Sequence, residues 1–407
     1  MNLLQNNIIL SLLNYLQKNK NLIFYIILSI SVICFLYLNF INWQSGKISN
    51  GEVGVKYWLD TERYIGGADK IINGDDLTGR DYHYTGYMMI LALIQIMNLP
   101  SESIVIIQIS FALFAAYLLF DIGKLLTNSK IAGLVAVALF LCNPFIVKWH
   151  LYILTESLYT SFVVISFWSF AKVLTTKKLK YYLVSIAILL ITMSLRPNGW
   201  ILLPIYIIVV IISLKISNKY KILSGIGAFG IFVLLLSFVP VFNKNIQLTS
   251  PVDNLQKGVT VWGHDELNIE MPQEPEIDKS NWTSGFEYVI KHPLASIKLA
   301  SYRAGYTLIH VRPFHSTGYK LRVLFWIIPA YIFAFIGLWF YRKNKLGLTG
   351  ILIIAGHLLV IILSYAEHDS RFDIYVLPVF YLFAGGGIAS IKNLLEFKLR
   401  IKRIKSE

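Results

Sequence analysis

Long apolar runs separated by short polar connections dominate the chain. A helix needs roughly 20 mainly apolar residues to cross the hydrocarbon core of a bilayer. Runs of that kind fall at 22–41, 102–123, 131–148, 153–172, 181–195, 199–215, 222–242, 321–341, 346–366 and 372–391. One further run, 86–99 (GYMMILALIQIMNL), has only 14 residues and stops before Pro100. It predicts a helix lying in the membrane interface rather than across it. The pattern predicts an all-α integral membrane protein with about ten transmembrane helices. No small-residue cleavage site follows the first apolar run, which therefore reads as a span and not as a leader.

Charge orients the spans. The two termini and the connections 121–130, 172–180, 215–221 and 342–345 carry 20 Lys/Arg against three Asp/Glu, and the rest of the chain carries 17 against 20. Basic connections stay on the cytoplasmic side, so both termini are expected there. Had 86–99 crossed the membrane, the basic segment 172–180 and the basic C-terminus would lie opposite the N-terminus. The expected division is a cytoplasmic N-terminus (1–21), a membrane module (22–242) with a first external loop (42–101), a second external loop (243–320), C-terminal spans (321–391) and a basic cytoplasmic tail (392–407).

Composition agrees. Of 407 residues, 56% are hydrophobic and 15% charged, with mean hydropathy +0.60, whereas soluble chains are nearer one quarter charged. The net charge of +14 would suggest nucleic acid in a soluble protein. Here the excess sits on connections at a membrane surface, so the bilayer is the expected partner and nucleic acid is not. Cys34 and Cys142 lie inside apolar runs and read as small buried hydrophobes. No internal repeat of half-length is visible, which disfavours a transporter built on inverted repeats.

The polar residues converge. Asp60 and Glu62 precede a short predicted helix over 64–72 closed by Gly74. Taken alone, Asp60 reads as a cap on that helix. Glu156 falls in the first turn of the fourth span, Arg196 in the turn between spans five and six, and His368, Asp369 and Arg371 in the turn between spans nine and ten. Charges at the edge of hydrocarbon are costly and pair or serve a pathway. Four separate elements meeting at one external layer favour a site over independent snorkelling charges. Seven of the eight histidines fall in external segments without metal-ligand spacing, and His357, mid-span, reads as a packing residue. No metal or cofactor is expected. Asn281-Trp282-Thr283 is a glycosylation sequon on the external side.

The pattern Asp60-x-x-Arg63-Tyr64-x-x-x-Ala68, then Gly74, then Tyr84-x-Gly86-Tyr87 opening the surface helix, resembles the first external loop of GT-C superfamily glycosyltransferases. The branch it resembles holds the protein O-mannosyltransferases and the lipid A aminoarabinose transferase. Thr155-Glu156, Arg196-Pro197, His292-Pro293 and Ser370-Arg371-Phe372 fit the same arrangement. Two positions depart from it. Thr61 stands where the family often has a second acidic residue, and Thr85 where a proline is common.

The resemblance implies transfer of a sugar from a polyprenyl-phosphate-linked donor to an acceptor hydroxyl of a glycolipid, polysaccharide or protein, at the external face of the cell membrane. Such a reaction needs a carboxylate base beside the acceptor oxygen and positive charge beside the leaving phosphate. Asp60 is the expected base, with Glu62 next to it. Arg63, Arg196 and Arg371 are expected near the phosphate, and Tyr84, Tyr87, Glu156 and His368 elsewhere on the substrates; Tyr82 and Trp262 are further aromatics able to face the sugar. Two other readings compete. A polysaccharide polymerase or ligase would work through the second loop, with Arg303, His310 and Arg312 as its residues. A transporter of lipid-linked glycan would carry charges midway along its spans.

Overall fold

The computed structural model describes residues 19–45, 54–214, 252–275, 277, 284–367, 369 and 371–404. The expected span 222–242, the sequon Asn281-Trp282-Thr283, and His368 and Ser370 lie outside the described residues. Among the described residues the chain is mostly helical, and β pairing is confined to two isolated bridges, Lys56–Tyr152 and Val261–Ala366. The main helices are α1 (Lys20–Ser45), α2 (Leu59–Asn73), α3 (Thr85–Ile96), α4 (Ile104–Thr127), α5 (Lys130–Cys142), α6 (Glu156–Thr176) and α7 (Leu179–Leu195). They continue with α8 (Leu202–Ser213), α9 (Ser284–Lys291), α10 (Pro293–Ile309), α11 (Thr317–Trp326), α12 (Ile328–Tyr341), α13 (Lys345–Leu363) and α14 (Leu377–Ile404).

Five described helical stretches are long and apolar enough to cross a membrane, and a sixth joins them if the bent pair Lys130–Cys142 and Pro144–Leu151 is one span. α7 and α8 are apolar but shorter. α14 packs on α12 and α5, α5 on α4 and α1, and α4 on α6, which packs in turn on α7. α6 is the most enclosed, with buried residues on every side, as expected of a helix ringed by neighbours. His357 on α13 is buried, with Nε2 2.9 Å from the Tyr159 hydroxyl and Nδ1 2.9 Å from the Ile353 carbonyl. Cys34 and Cys142 are free thiols.

The run expected to form one helix over 131–148 is broken, and proline is the reason. Pro144 has no N–H to give and pushes the residue before it out of the helical region. Asn143 accordingly sits at φ −78°, ψ 115°, and its side chain accepts the Phe145 N–H at 2.8 Å. Its amide also bonds the Tyr381 hydroxyl on α14. The chain bends by 51° there, runs on as a short helix and a 3-10 turn to Leu151, and is irregular from Tyr152 to Thr155. Gln108 on α4 clamps that stretch, donating to the carbonyls of His150 at 2.8 Å and Tyr152 at 2.9 Å. Lys56 pairs its backbone with Leu151 and Ile153. The first loop and the start of α6 are thereby held together.

Candidate active site

α2 begins at Leu59, ahead of the expected start at Tyr64, so Asp60 and Glu62 stand inside its first turn. The capping role falls to Thr61, not Asp60. Thr61 Oγ1 accepts the Trp58 N–H at 3.0 Å and donates to the Ile153 carbonyl at 3.2 Å, so the residue that departs from the family pattern is a buried tie between the first loop and the irregular stretch. Gly74 closes α2 at φ +74°, a left-handed conformation that glycine adopts without steric penalty.

Asp60 is turned toward other chain segments. Arg371 Nη2 lies 2.9 Å from Asp60 Oδ2, and Arg63 Nη1 lies 3.5 Å from Asp60 Oδ1. The Arg371 Nε also bonds Glu156, and Glu156 Oε1 bonds Arg196 Nη1. Arg196 Nη1 donates in addition to Thr155 Oγ1 at 2.8 Å. The result is a chain of ionic contacts, Asp60–Arg371–Glu156–Arg196, from four separate segments. The Glu156 side chain is 0% exposed, whereas that of Asp60 is 30% exposed. A buried carboxylate is tolerated when paired and hydrogen-bonded, and the N-terminus of α6 adds its dipole to the two guanidiniums. Burial works against the Arg371 charge, yet Glu156 beside it more than reverses this and holds the proton more firmly than on an ordinary arginine. The two guanidinium charges of this chain of contacts are matched by two carboxylates.

Aromatic rings line the arginines. The Arg63 guanidinium lies 4.8 Å from the Tyr84 ring and that of Arg196 5.9 Å from it. Arg196 also lies 5.2 Å from the Tyr375 ring and 5.4 Å from Phe372. α3, expected as a surface helix, reaches this end of the bundle because Gly86 has no side chain. A Cβ there would sit 2.1 Å from Ser194 Oγ on α7. Tyr87 does not face open space as expected. It is fully buried, its ring 5.3 Å from Tyr64, because α2 lies over that face of α3. Glu62 is exposed, two residues and so about 200° round the helix from Asp60. It stands apart from the cluster. Trp262 stacks on Tyr365 at 4.8 Å.

The structure also brings in Asp81 and Glu367, which the sequence does not single out, and gives Asp369 a partner. Asp81 lies 3.4 Å from Lys70 and 3.9 Å from Arg63. Asp369 pairs with Lys148 at 3.7 Å, not with Arg371. Glu367, in the same turn, is pushed up to about 7 by burial, which outweighs the opposing pull of Arg371 and Arg196. Asp81 and Glu367 are not conspicuous in sequence, since each looks like an ordinary loop charge. Among the described residues, no group of three or more His, Cys, Asp or Glu is placed to hold a metal ion.

The second-loop residues serve the fold. Arg303 is fully buried and gives its guanidinium to the carbonyls of Val259 at 2.8 Å, Ile362 at 2.9 Å and Asn254 at 3.3 Å. Arg312 donates to the Glu367 carbonyl at 2.8 Å. His310, kept neutral by burial that pushes it down to about 3, lies 2.9 Å from the Tyr331 hydroxyl and 3.4 Å from Asp373.

The structure has the GT-C-like fold that the sequence resemblance implied. Residues 85–242, under half of the chain, match the family model of the dolichyl-phosphate-mannose-protein mannosyltransferases (PMT_2). The structure is similar to that of the Archaeoglobus fulgidus oligosaccharyltransferase in complex with Zn and sulfate, with a TM-score of 0.51 and 12% identity over 93% of this chain and 51% of that one. It is similar also to the same organism's AglB in complex with an inhibitory peptide and a dolichol-phosphate, with a TM-score of 0.52 and 12% identity over 95% of this chain and 52% of that one. The chain thus spans about half the length of these oligosaccharyltransferases. No curated protein matches it in sequence.

Proposed function

We propose that the protein is a glycosyltransferase that moves a sugar from a polyprenyl-phosphate-linked donor to the hydroxyl of a glycolipid, polysaccharide or protein acceptor. The observation that carries this reading is the partly exposed Asp60 carboxylate, fixed by Arg371 at 2.9 Å on a buried scaffold of Glu156 and Arg196. A base must be held in place and still reach its substrate. In this reading the acceptor oxygen attacks the anomeric carbon, and its proton passes to Asp60. The bond from that carbon to the phosphate oxygen breaks, and its electron pair leaves on the phosphate. Arg63, with Arg371 and Arg196 behind it, supplies positive charge as the leaving group develops, and Tyr84 offers a ring to the sugar. A family named for dolichyl-phosphate-mannose, and a structural neighbour bound to a dolichol-phosphate, support a lipid-phosphate donor.

The ten-span topology, with this end of the bundle external, belongs to the same proposal and is supported by the excess of Lys and Arg in the connections 121–130, 172–180, 215–221 and 342–345. A polymerase acting through the second loop is less favoured, because all three guanidinium nitrogens of Arg303 are taken by backbone carbonyls and Arg312 is fully buried. The test is donor hydrolysis or sugar transfer by the purified protein with a labelled polyprenyl-phosphate sugar. Activity abolished by Asp60→Asn in a folded protein supports the reading, and undiminished activity in that variant overturns it. Profiling lipid-linked sugars in a deletion strain against its parent identifies the sugar.

A further inference from the structure

Arg371 bonds Asp60 through Nη2 and the buried Glu156 through Nε. Both contacts of this one planar fork depend on where the backbone that carries it lies. The second loop grips that backbone on both sides. Upstream, the Ala366 N–H donates to the Thr260 carbonyl, and the Trp262 N–H donates to the Ala366 carbonyl, each at 2.9 Å. The next carbonyl, that of Glu367, accepts Arg312 Nη2 at 2.8 Å. Downstream, Asp373 Oδ2 lies 3.4 Å from His310 Nδ1 and 3.9 Å from Arg312 Nη2. One guanidinium nitrogen thus reaches both shoulders of the turn, and Arg371 stands between them.

The grip is directional. The side chains of His310, Arg312 and Asp373 are all 0% exposed. Buried ionic groups are weak sources of stability, and apolar side chains of similar volume often serve as well or better. What the polar groups add here is a fixed relative position of two segments. His310 is itself firmly held. It ends α10 at φ +57°, a left-handed conformation that a residue with a Cβ adopts only where its surroundings impose it. Its Nε2 lies 2.9 Å from the Tyr331 hydroxyl on α12. That hydroxyl can donate to Nε2, which leaves the Nδ1 proton directed at Asp373. Arg303 makes a contrast within the same loop, since its three carbonyl partners, at Asn254, Val259 and Ile362, all lie short of the turn.

We propose that His310, Arg312 and Asp373 are positioning residues: through them the second loop sets the turn that presents Arg371 to Asp60, and so aims the proposed base. The catalytic consequence rests on the proposed function, whereas the grip on the turn does not. The second loop then contributes to turnover without touching a substrate through these three side chains.

The experiment measures kcat and donor KM per folded molecule for Arg312→Lys, His310→Asn and Asp373→Asn, each in the wild-type and the Arg371→Lys backgrounds. Hydrogen exchange over residues 366–373 of the full-length protein is followed in parallel. In the wild-type background kcat should fall roughly tenfold or more, because misplacing a group by about 1 Å can cost about 10²-fold. Donor KM should move little, and exchange over 366–373 should quicken. Lysine at position 371 has already lost the fork, so there the same substitutions should change kcat by less than about threefold. Asparagine tolerates the left-handed conformation at 310, so His310→Asn and Arg312→Lys carry the test if Asp373→Asn does not fold. Arg303→Lys is the control, lowering the melting temperature with kcat and exchange over 366–373 unchanged. Equal losses of kcat in both backgrounds overturn the proposal, as does unchanged kcat in the wild-type background. A fall in kcat with unaltered exchange over 366–373 also overturns it. Faster exchange in Arg312→Lys, in a protein whose wild type transfers no sugar, overturns the glycosyltransferase reading and leaves the grip standing.

Discussion

Arg371 reaches across 311 residues of sequence to place its Nη2 2.9 Å from Asp60 Oδ2. The same guanidinium bonds the buried Glu156 through its Nε. One side chain therefore ties the most exposed carboxylate of the cluster to its most buried one. A planar fork with several donors can do this, and a lysine cannot.

Replacing Asp60 tests the base. Asp60→Asn keeps shape and much of the hydrogen bonding but cannot accept the acceptor's proton. Turnover should fall by roughly 10²–10⁴, with little change in thermal stability because the side chain is partly exposed. Glu62→Gln, on the outward face of α2, should stay near wild type. Steady-state transfer assays and melting curves on both variants separate these outcomes, and the reverse pattern would move the base to Glu62.

Arg371 should show a split between folding and activity. Arg371→Ala strands Glu156 with one partner, and breaking a buried pair costs about 3–5 kcal/mol. Arg371→Lys should be milder. Arg371→Met combined with Glu156→Gln removes the stranded carboxylate but leaves the buried Arg196 without its ionic partner, so it should not regain full stability and should remain inactive. Recovery of turnover in that double variant would reduce Arg371 to a structural partner.

Glu367 predicts a pH dependence. Its proton is held up to about 7, against an ordinary 4.5. Between those values the folded protein binds a proton that the unfolded chain has lost, so stability declines as pH rises. Its contribution is fully present below about 4.5 and is lost as pH passes about 7. Melting temperature across that window should fall less in Glu367→Gln than in wild type. Parallel curves would assign the dependence to another group.

Arg303 should matter for stability alone. Its three carbonyl contacts staple the second loop to the end of α13. Arg303→Lys should lower the melting temperature while transfer per folded molecule stays unchanged. A selective loss of turnover would return the second loop to the chemistry.

Topology is open to labelling. Asp75→Cys and Asp265→Cys should react with an impermeant thiol reagent on intact cells, and Lys178→Cys only after permeabilisation. Protection at Asp265→Cys on intact cells would overturn the external assignment of the second loop.

Asp60, Glu156, Arg196 and Arg371 were legible in sequence because charge at the edge of hydrocarbon is rare enough to stand out. Their pairing was not. Whether Arg371 meets Asp369 or Glu156 depends on where the turn sits against α6, which the sequence does not give. The bend after α5 had its signal in Asn143-Pro144, but the apolar run around it concealed the break. Lys148 went unnoticed for the same reason, as the polar end of a presumed span. Tyr87 carried no sign of its burial, since the covering element, α2, is itself partly polar. Gly86 in the motif acquires a physical reason only when Ser194 is seen against it.

The dispersal of the ionic chain has a bearing on how the protein is made. Glu156 and Arg196 leave the ribosome well before Arg371. In that interval the nascent membrane bundle holds a carboxylate at its end with only one of its two guanidinium partners present. Arrival of the turn before α14 supplies the second, along with the contact to Asp60. Completion of the ionic chain is therefore coupled to placement of the last helix, and a chain released early would lack the guanidinium that joins the buried Glu156 to Asp60.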